Sequence, residues 1–152
     1  MLDNYSQTPH VCFKVEFATA VSAGDELLRI LESHLHARFE SVRRIKWWFP
    51  IRWVFVFYVG QNKFTVLCDR SRFADNEWIL LASPLDTRSL LDGLRRRKPV
   101  FSTTDLMLVC RQIHALLATV AGITRIRWYF KGFRGQSEVG VATPDELPWT
   151  QA

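Results

Sequence analysis

The stretch Ile51-Arg52-Trp53-Val54-Phe55-Val56-Phe57-Tyr58-Val59-Gly60-Gln61-Asn62-Lys63-Phe64-Thr65-Val66-Leu67-Cys68 decides the fold. Residues 51–59 and 63–68 are rich in β-branched and aromatic side chains, which fit a pleated and partly buried surface. Gly60-Gln61-Asn62 between them has the composition of a turn. The segment therefore reads as two consecutive strands, and short connections of this kind build antiparallel sheets.

Working outward from this pair, Arg43 to Phe49 reads as a preceding strand, which Pro50 either ends or bulges at a sheet edge. Further upstream, Val11, Phe13, Val15 and Phe17 alternate with Cys12, Lys14, Glu16 and Ala18, the period of a strand. Ser22-Ala23-Gly24-Asp25 resembles a capping box and opens a helix that carries Leu28, Leu31, Leu35 and Phe39 on one stripe, to about residue 40.

Downstream, a polar loop with Asp75-Asn76 as its turn leads into a strand at Glu77–Ala82. Ser83-Pro84-Leu85-Asp86 has the order of a cap followed by a first-turn proline, so a helix is expected from there to the run Arg95-Arg96-Arg97-Lys98 before Pro99. Ser102-Thr103-Thr104-Asp105 opens the clearest helix, with Leu106, Val109, Cys110, Ile113, Leu117 and Val120 at helical spacing and Gly122 at its end. Ile123–Phe130 reads as a strand, Gly132 and Gly135 flank a turn, and Ser137–Ala142 pairs back.

The order β-α-β-β-β-β-α-α-β-β predicts an α+β fold. The expectation is a single domain over residues 1–152, with 143–152 as a C-terminal tail anchored by Leu147 and Trp149. Its largely antiparallel mixed sheet would be flanked by about three helices.

Two helix-to-strand passages echo each other: Ser22–Phe49 and Ser102–Phe130. Both open with S-x-x-D and carry His-Ala in the helix (His36-Ala37 and His114-Ala115). They end in similar strands, Arg44-Ile45-Lys46-Trp47-Trp48-Phe49 and Arg125-Ile126-Arg127-Trp128-Tyr129-Phe130. An internal helix-strand duplication would place the two strands in equivalent, neighbouring positions. The same pattern also arises whenever an amphipathic helix feeds a strand.

Because side chains alternate across a strand, Arg44, Lys46 and Trp48 share one face, as do Arg125, Arg127 and Tyr129. Ile45, Trp47, Phe49, Ile126, Trp128 and Phe130 form the opposite faces and read as core. If the echo holds, four cations and two aromatic rings meet on one exposed sheet face. Cations neutralise phosphate and flat rings stack on bases, so this set meets the minimal chemistry for single-stranded nucleic acid. A solvated strand face, with basic stems lying over rings, has the same composition.

Composition sets outer limits. A chain of 152 residues buries roughly two-thirds of its unfolded surface and needs no disulfide or metal to fold. With 48% hydrophobic and 23% charged residues, disorder is not expected. The net charge of +5 is uneven: residues 1–40 carry three basic and six acidic side chains, whereas residues 41–72 carry seven basic and one acidic. That asymmetry favours an anionic partner. Cys12, Cys68 and Cys110 are odd in number, distant, and set in apolar runs, which fits free thiols in a reducing compartment. Residues 1–10 lack the features of a signal peptide, and the run Trp47–Val59 is too short to span a bilayer. A cytoplasmic location is the expectation.

Neither a clustered Cys/His metal set nor a phosphate loop is present in the sequence, and no cofactor is expected. Cys110 and His114, four apart on one helix, are the only nucleophile–base candidates, and their stripe reads as core. The leading expectation is a small non-catalytic binding protein that uses Arg44, Lys46, Trp48, Arg125, Arg127 and Tyr129. Its partner would be an acidic protein surface, in an inhibitor, immunity-type or chaperone role, or a second copy of itself. Single-stranded nucleic-acid binding is the alternative, followed by an enzyme of unrecognised type.

Overall fold

The computed structural model describes residues 10–19, 23–47, 52–85, 103–130 and 133–138. The elements run β1 (Val11–Phe17), α1 (Ala23–Arg38), β2 (Arg43–Trp47), β3 (Arg52–Val59), β4 (Asn62–Arg70), β5 (Glu77–Pro84), α2 (Thr103–Thr119), β6 (Ile123–Phe130) and β7 (Phe133–Glu138). The seven strands form one sheet in the order β2-β3-β4-β5-β1-β6-β7. Every pair of neighbours is antiparallel. The α+β expectation therefore holds, and no parallel pair occurs among the described strands.

The β3–β4 hairpin is as tight as its sequence implies. Val59 pairs with Asn62 across two residues, and Gly60 takes φ 58° at the first of them, the position where primed turns favour glycine. Asn62 Nδ2 then donates to Asp105 Oδ2 at 2.7 Å, which ties this turn to the first turn of α2. At the far end of the sheet's centre, Phe17 N donates to Asn76 O and Asn76 Nδ2 donates to Phe17 O, so the β4–β5 loop is clasped to the end of β1.

Among the described residues, both helices pack on one side of the sheet, and the other, the open face, carries neither. Val11, Phe13, Val15 and Phe17 of β1 are buried, as are Phe55 and Phe57 of β3, Phe64, Val66 and Cys68 of β4, and Ile126 and Trp128 of β6. They form one cluster with Leu27, Leu28, Leu31 and Leu35 of α1 and with the α2 stripe Leu106, Val109, Cys110, Ile113 and Leu117. Both described helices thus lie on the same face. Phe39, just beyond α1, rests on Phe57 with ring centroids 4.7 Å apart. The α2 stripe lies as its spacing predicts, whereas Leu108 on the flank of that helix is 44% exposed.

Three expectations need revision. Ser83 and Pro84 do not start a helix: they finish β5, opposite Thr65 and Phe64. Proline is tolerated there because at a strand end its missing N–H costs least, and Leu85 N still donates to Lys63 O at 2.7 Å. The rest of that expected helix lies outside the described residues, so two helices rather than three are described. The return strand after Gly132 spans Phe133–Glu138, with Gly135 inside it opposite Trp128 rather than in a turn. Duplication is not confirmed: β2 is an edge strand, whereas β6 lies between β1 and β7. The expected 143–152 tail, with Leu147 and Trp149, also lies outside the described residues.

Gly24 in the first turn of α1 is buried against the Trp78 indole, and a Cβ added there would run into that ring. Trp78 is itself only 8% exposed and packs beside Trp53, with centroids 6.0 Å apart, so it has little room to yield. Ordinarily a helical Gly→Ala change gains about 0.5–1 kcal/mol. Here overpacking, at about 1–3 kcal/mol, outweighs that gain. Gly24→Ala is expected to lower stability, as read from the urea midpoint at unchanged m-value; an equal or higher midpoint would show that Trp78 can move aside.

Candidate functional site: the open face of the sheet

Strand register decides which side chains share the face away from the two described helices. Paired residues in neighbouring strands point to the same side. From the buried Phe55, Val66, Leu80, Phe13 and Trp128, the residues between them along each strand face the other way. On that open face, Ile45 pairs with Val54, Val54 with Leu67, Leu67 with Leu81, Leu81 with Cys12, and Cys12 with Tyr129. Six strands thus contribute one rung each to a continuous, mostly apolar row. Ile45 is exposed and the other five are partly exposed. At about 4.8 Å per strand the row is about 24 Å long.

Mostly polar side chains flank the row. On one side are Asp69, Ile79, Lys14 and Arg127, and beyond them Glu77, Glu16 and Arg125. On the other are Arg43, Val56, Thr65 and Ser83, whose Thr65 and Ser83 hydroxyls lie 3.2 Å apart. Arg127 Nη2 donates to Glu77 Oε2, and Arg125 Nε lies 3.6 Å from Glu16 Oε2. Glu77 is 5% exposed, so its charge is balanced by Arg127 inside the face. Lys14 Nζ lies over the Tyr129 ring, 5.6 Å from its centroid.

Of the six residues expected to form one binding set, Arg44 stands apart from Arg125, Arg127 and Tyr129. Arg125, Arg127 and Tyr129 do occupy the open face, over buried Ile126 and Trp128. Arg44 pairs with the buried Phe55 and reaches Glu32 of α1 at 3.3 Å, so it belongs to the helix side. Lys46 holds a register position opposite Trp53. Trp48 lies outside the described residues. In addition, β2 and β6 are five strand spacings apart, about 24 Å. The shared R-I-x-W motif misled because a motif does not set the facing of a strand. Its neighbour does: Phe55 and Phe57 of β3 are buried, and the β2 register follows them.

Residues that sequence reasoning passed over line the β2–β4 end of the open face. Arg43, Ile45, Val56, Tyr58 and Lys63, with Ser41 and Val42, line a cleft of about 430 Å³. Lys63 Nζ stands 5.9 Å from the centroid of the Tyr58 ring. The one available signal was strand alternation in Trp53–Tyr58, which sets Val54, Val56 and Tyr58 apart from Phe55 and Phe57.

The Cys110–His114 pair lies in the core. Burial pushes the Cys110 thiol well above its ordinary range and holds the His114 imidazole below its own. His114 packs edge-on to Trp128 at 5.4 Å and beside Phe13. A thiolate nucleophile has no support in that setting. Burial likewise raises the Cys68 thiol and, less completely shielded, that of Cys12. Among the described residues no group of three His, Cys, Asp or Glu side chains could hold a metal ion.

Two outcomes follow from these environments. Glu77→Gln leaves the Arg127 guanidinium half-buried without its counter-charge and is expected to cost about 1–3 kcal/mol. Glu16→Gln, at a longer and more exposed pair, should cost less; equal losses in urea melts would place the two pairs on the same footing. His34 and His114 are both depressed, by burial first and, for His34, by Arg38 as well. The unfolded chain therefore takes up protons below about pH 6.5 that the folded chain resists, so stability is full above that pH and falls beneath it. His114→Phe should shrink the stability difference between pH 7.5 and pH 5; an unchanged difference would remove His114 as a source.

No protein-family model matches the chain, and neither curated proteins nor solved structures give a match.

Proposed function

We propose that this chain is a non-catalytic binding protein that holds a protein partner against the open face of its sheet. The observation that carries the reading is the row Ile45–Val54–Leu67–Leu81–Cys12–Tyr129. Neither described helix lies over it, because both occupy the other side. A continuous apolar strip rimmed by polar groups is the usual form of an interaction surface. The partner carries an apolar strip with acidic side chains at the β2–β4 end, where Arg43 and Lys63 line a cleft that has no carboxylate in its lining among the described residues. An inhibitor, immunity-type or chaperone role fits such a surface. The three free cysteines support a reducing, cytoplasmic setting. No described helix is long and apolar enough to cross a membrane.

Single-stranded nucleic acid is less well supported. The cations of β6 that would meet phosphate are already balanced, Arg125 by Glu16 and Arg127 by Glu77, and the β2 cations lie at the opposite end of the sheet.

The test introduces charge at the centre of the row. Leu67→Asp with Leu81→Asp is expected to keep the fold, because both side chains are already partly exposed, and to abolish capture of a protein that wild type retains. Leu108→Asp on the exposed flank of α2 is the control and should retain it. Equal capture by wild type and the double variant would reject the open face. Salt-sensitive binding of a single-stranded oligonucleotide, lost in Arg125→Ala with Arg127→Ala, would favour the alternative.

A further inference from the structure

We infer that the cleft at the β2–β4 end of the sheet is a binding site for a small amphipathic carboxylate, an acid group on a short apolar or aromatic body. Its volume, about 430 Å³, falls within the range of small-molecule sites. Its composition is divided. Ile45 and Val56 supply aliphatic wall, and Tyr58 supplies a ring that is 41% exposed. Arg43 and Lys63 supply two positive charges across the same space. A fully apolar ligand would leave both cations unsolvated, and a bare inorganic anion would leave the walls wet. A carboxylate with an apolar body meets both demands.

The backbone explains why the two cations converge. Arg43 pairs with Val56 on β3, and Lys63 pairs with Tyr58, two residues further along the same strand. Residues two apart on a strand point to the same side, so both cations project over neighbouring positions of β3. Lys63 Nζ is held 5.9 Å from the Tyr58 ring centroid, which fixes its ammonium at the wall of the cleft. Ser41, which also lines the cleft, takes φ 55°, an uncommon conformation for a residue with a side chain. That turn brings the chain from α1 into β2 and sets Ser41 beside Arg43 in the lining. Neither Arg43 nor Lys63 forms an ion pair among the described residues, in contrast to Arg44, Arg125 and Arg127 on the same sheet. The cleft shares Arg43, Lys63 and Ile45 with the surface assigned to a protein partner, but its binding of a small acid is tested at Arg43 and Lys63, whereas the partner surface is tested at Leu67 and Leu81.

The experiment is a titration of uniformly ¹⁵N-labelled protein with 4-phenylbutyrate, followed by amide shifts and by calorimetry, with 4-phenyl-1-butanol in parallel. The acid is expected to give saturable shifts confined to residues 41–45 and 56–63, and the alcohol to bind about tenfold more weakly or worse. Arg43→Gln and Lys63→Gln should each weaken the acid by about tenfold, while Arg111→Gln on the exposed side of α2 leaves it unchanged. Retained dispersion of the amide spectrum in each variant separates lost binding from lost fold. Equal binding of acid and alcohol, shifts centred elsewhere, or no saturable shift up to the solubility of the acid would each overturn the inference. Loss of protein capture in the Leu67 and Leu81 variants leaves it standing.

Discussion

The pleat of β3 is the constraint on which the rest depends. Phe55 and Phe57 turn to one side, and their partners across the ladders, Val66 and Phe64, must turn with them. The pairing carries this facing onward from Cys68 to Leu80, from Leu80 to Phe13, and from Phe13 to Trp128. A slip of one residue at any ladder would send a set of large rings into water and polar groups into the core. Helices α1 and α2 can bury their leucine stripes on only one side of such a sheet. The opposite side is thereby fixed as well, down to which residues form its row of rungs.

This dependence separates what the amino-acid order reveals from what it conceals. Local signals sufficed for β1, whose alternation is unbroken, for the Gly60 turn, and for α2, whose stripe at residues 106, 109, 110, 113 and 117 is buried throughout. They sufficed for β6, where Ile126 and Trp128 face inward. They failed for β2, because a short strand with isoleucine and tryptophan on one side and arginine and lysine on the other has no facing of its own. Its register to β3 decides, and Ile45 ends 40% exposed while Arg44 reaches across to Glu32 of α1. At Ser83-Pro84 the local cap signal competed with a ladder to β4 and lost. The candidate site was legible only at its β6 end. The Arg43–Lys63 cleft depends on two ladders at once, and no window of sequence contains both.

Charge shows the same division between local and long-range order. The basic excess of residues 41–72 suggested an anionic partner, yet much of the positive charge of the open face is answered by nearby carboxylates. Glu77 on β5 and Glu16 on β1 are distant in sequence from Arg127 and Arg125, so counts along the chain could not anticipate these pairs. What remains uneven is position: the β6 end is balanced pairwise, and the β2–β4 end carries Arg43 and Lys63 around a cleft.

The row of rungs crosses the strands rather than following one, and that gives it a shape. Adjacent strands rotate by roughly 20–25° relative to each other, so over five steps the strand direction turns by roughly 100–125° between Ile45 and Tyr129. The strip is therefore a ramp and not a plane. A flat, rigid surface can rest on neighbouring rungs but not on both ends together. A molecule in contact with all six must either turn along with the sheet or bend to follow it.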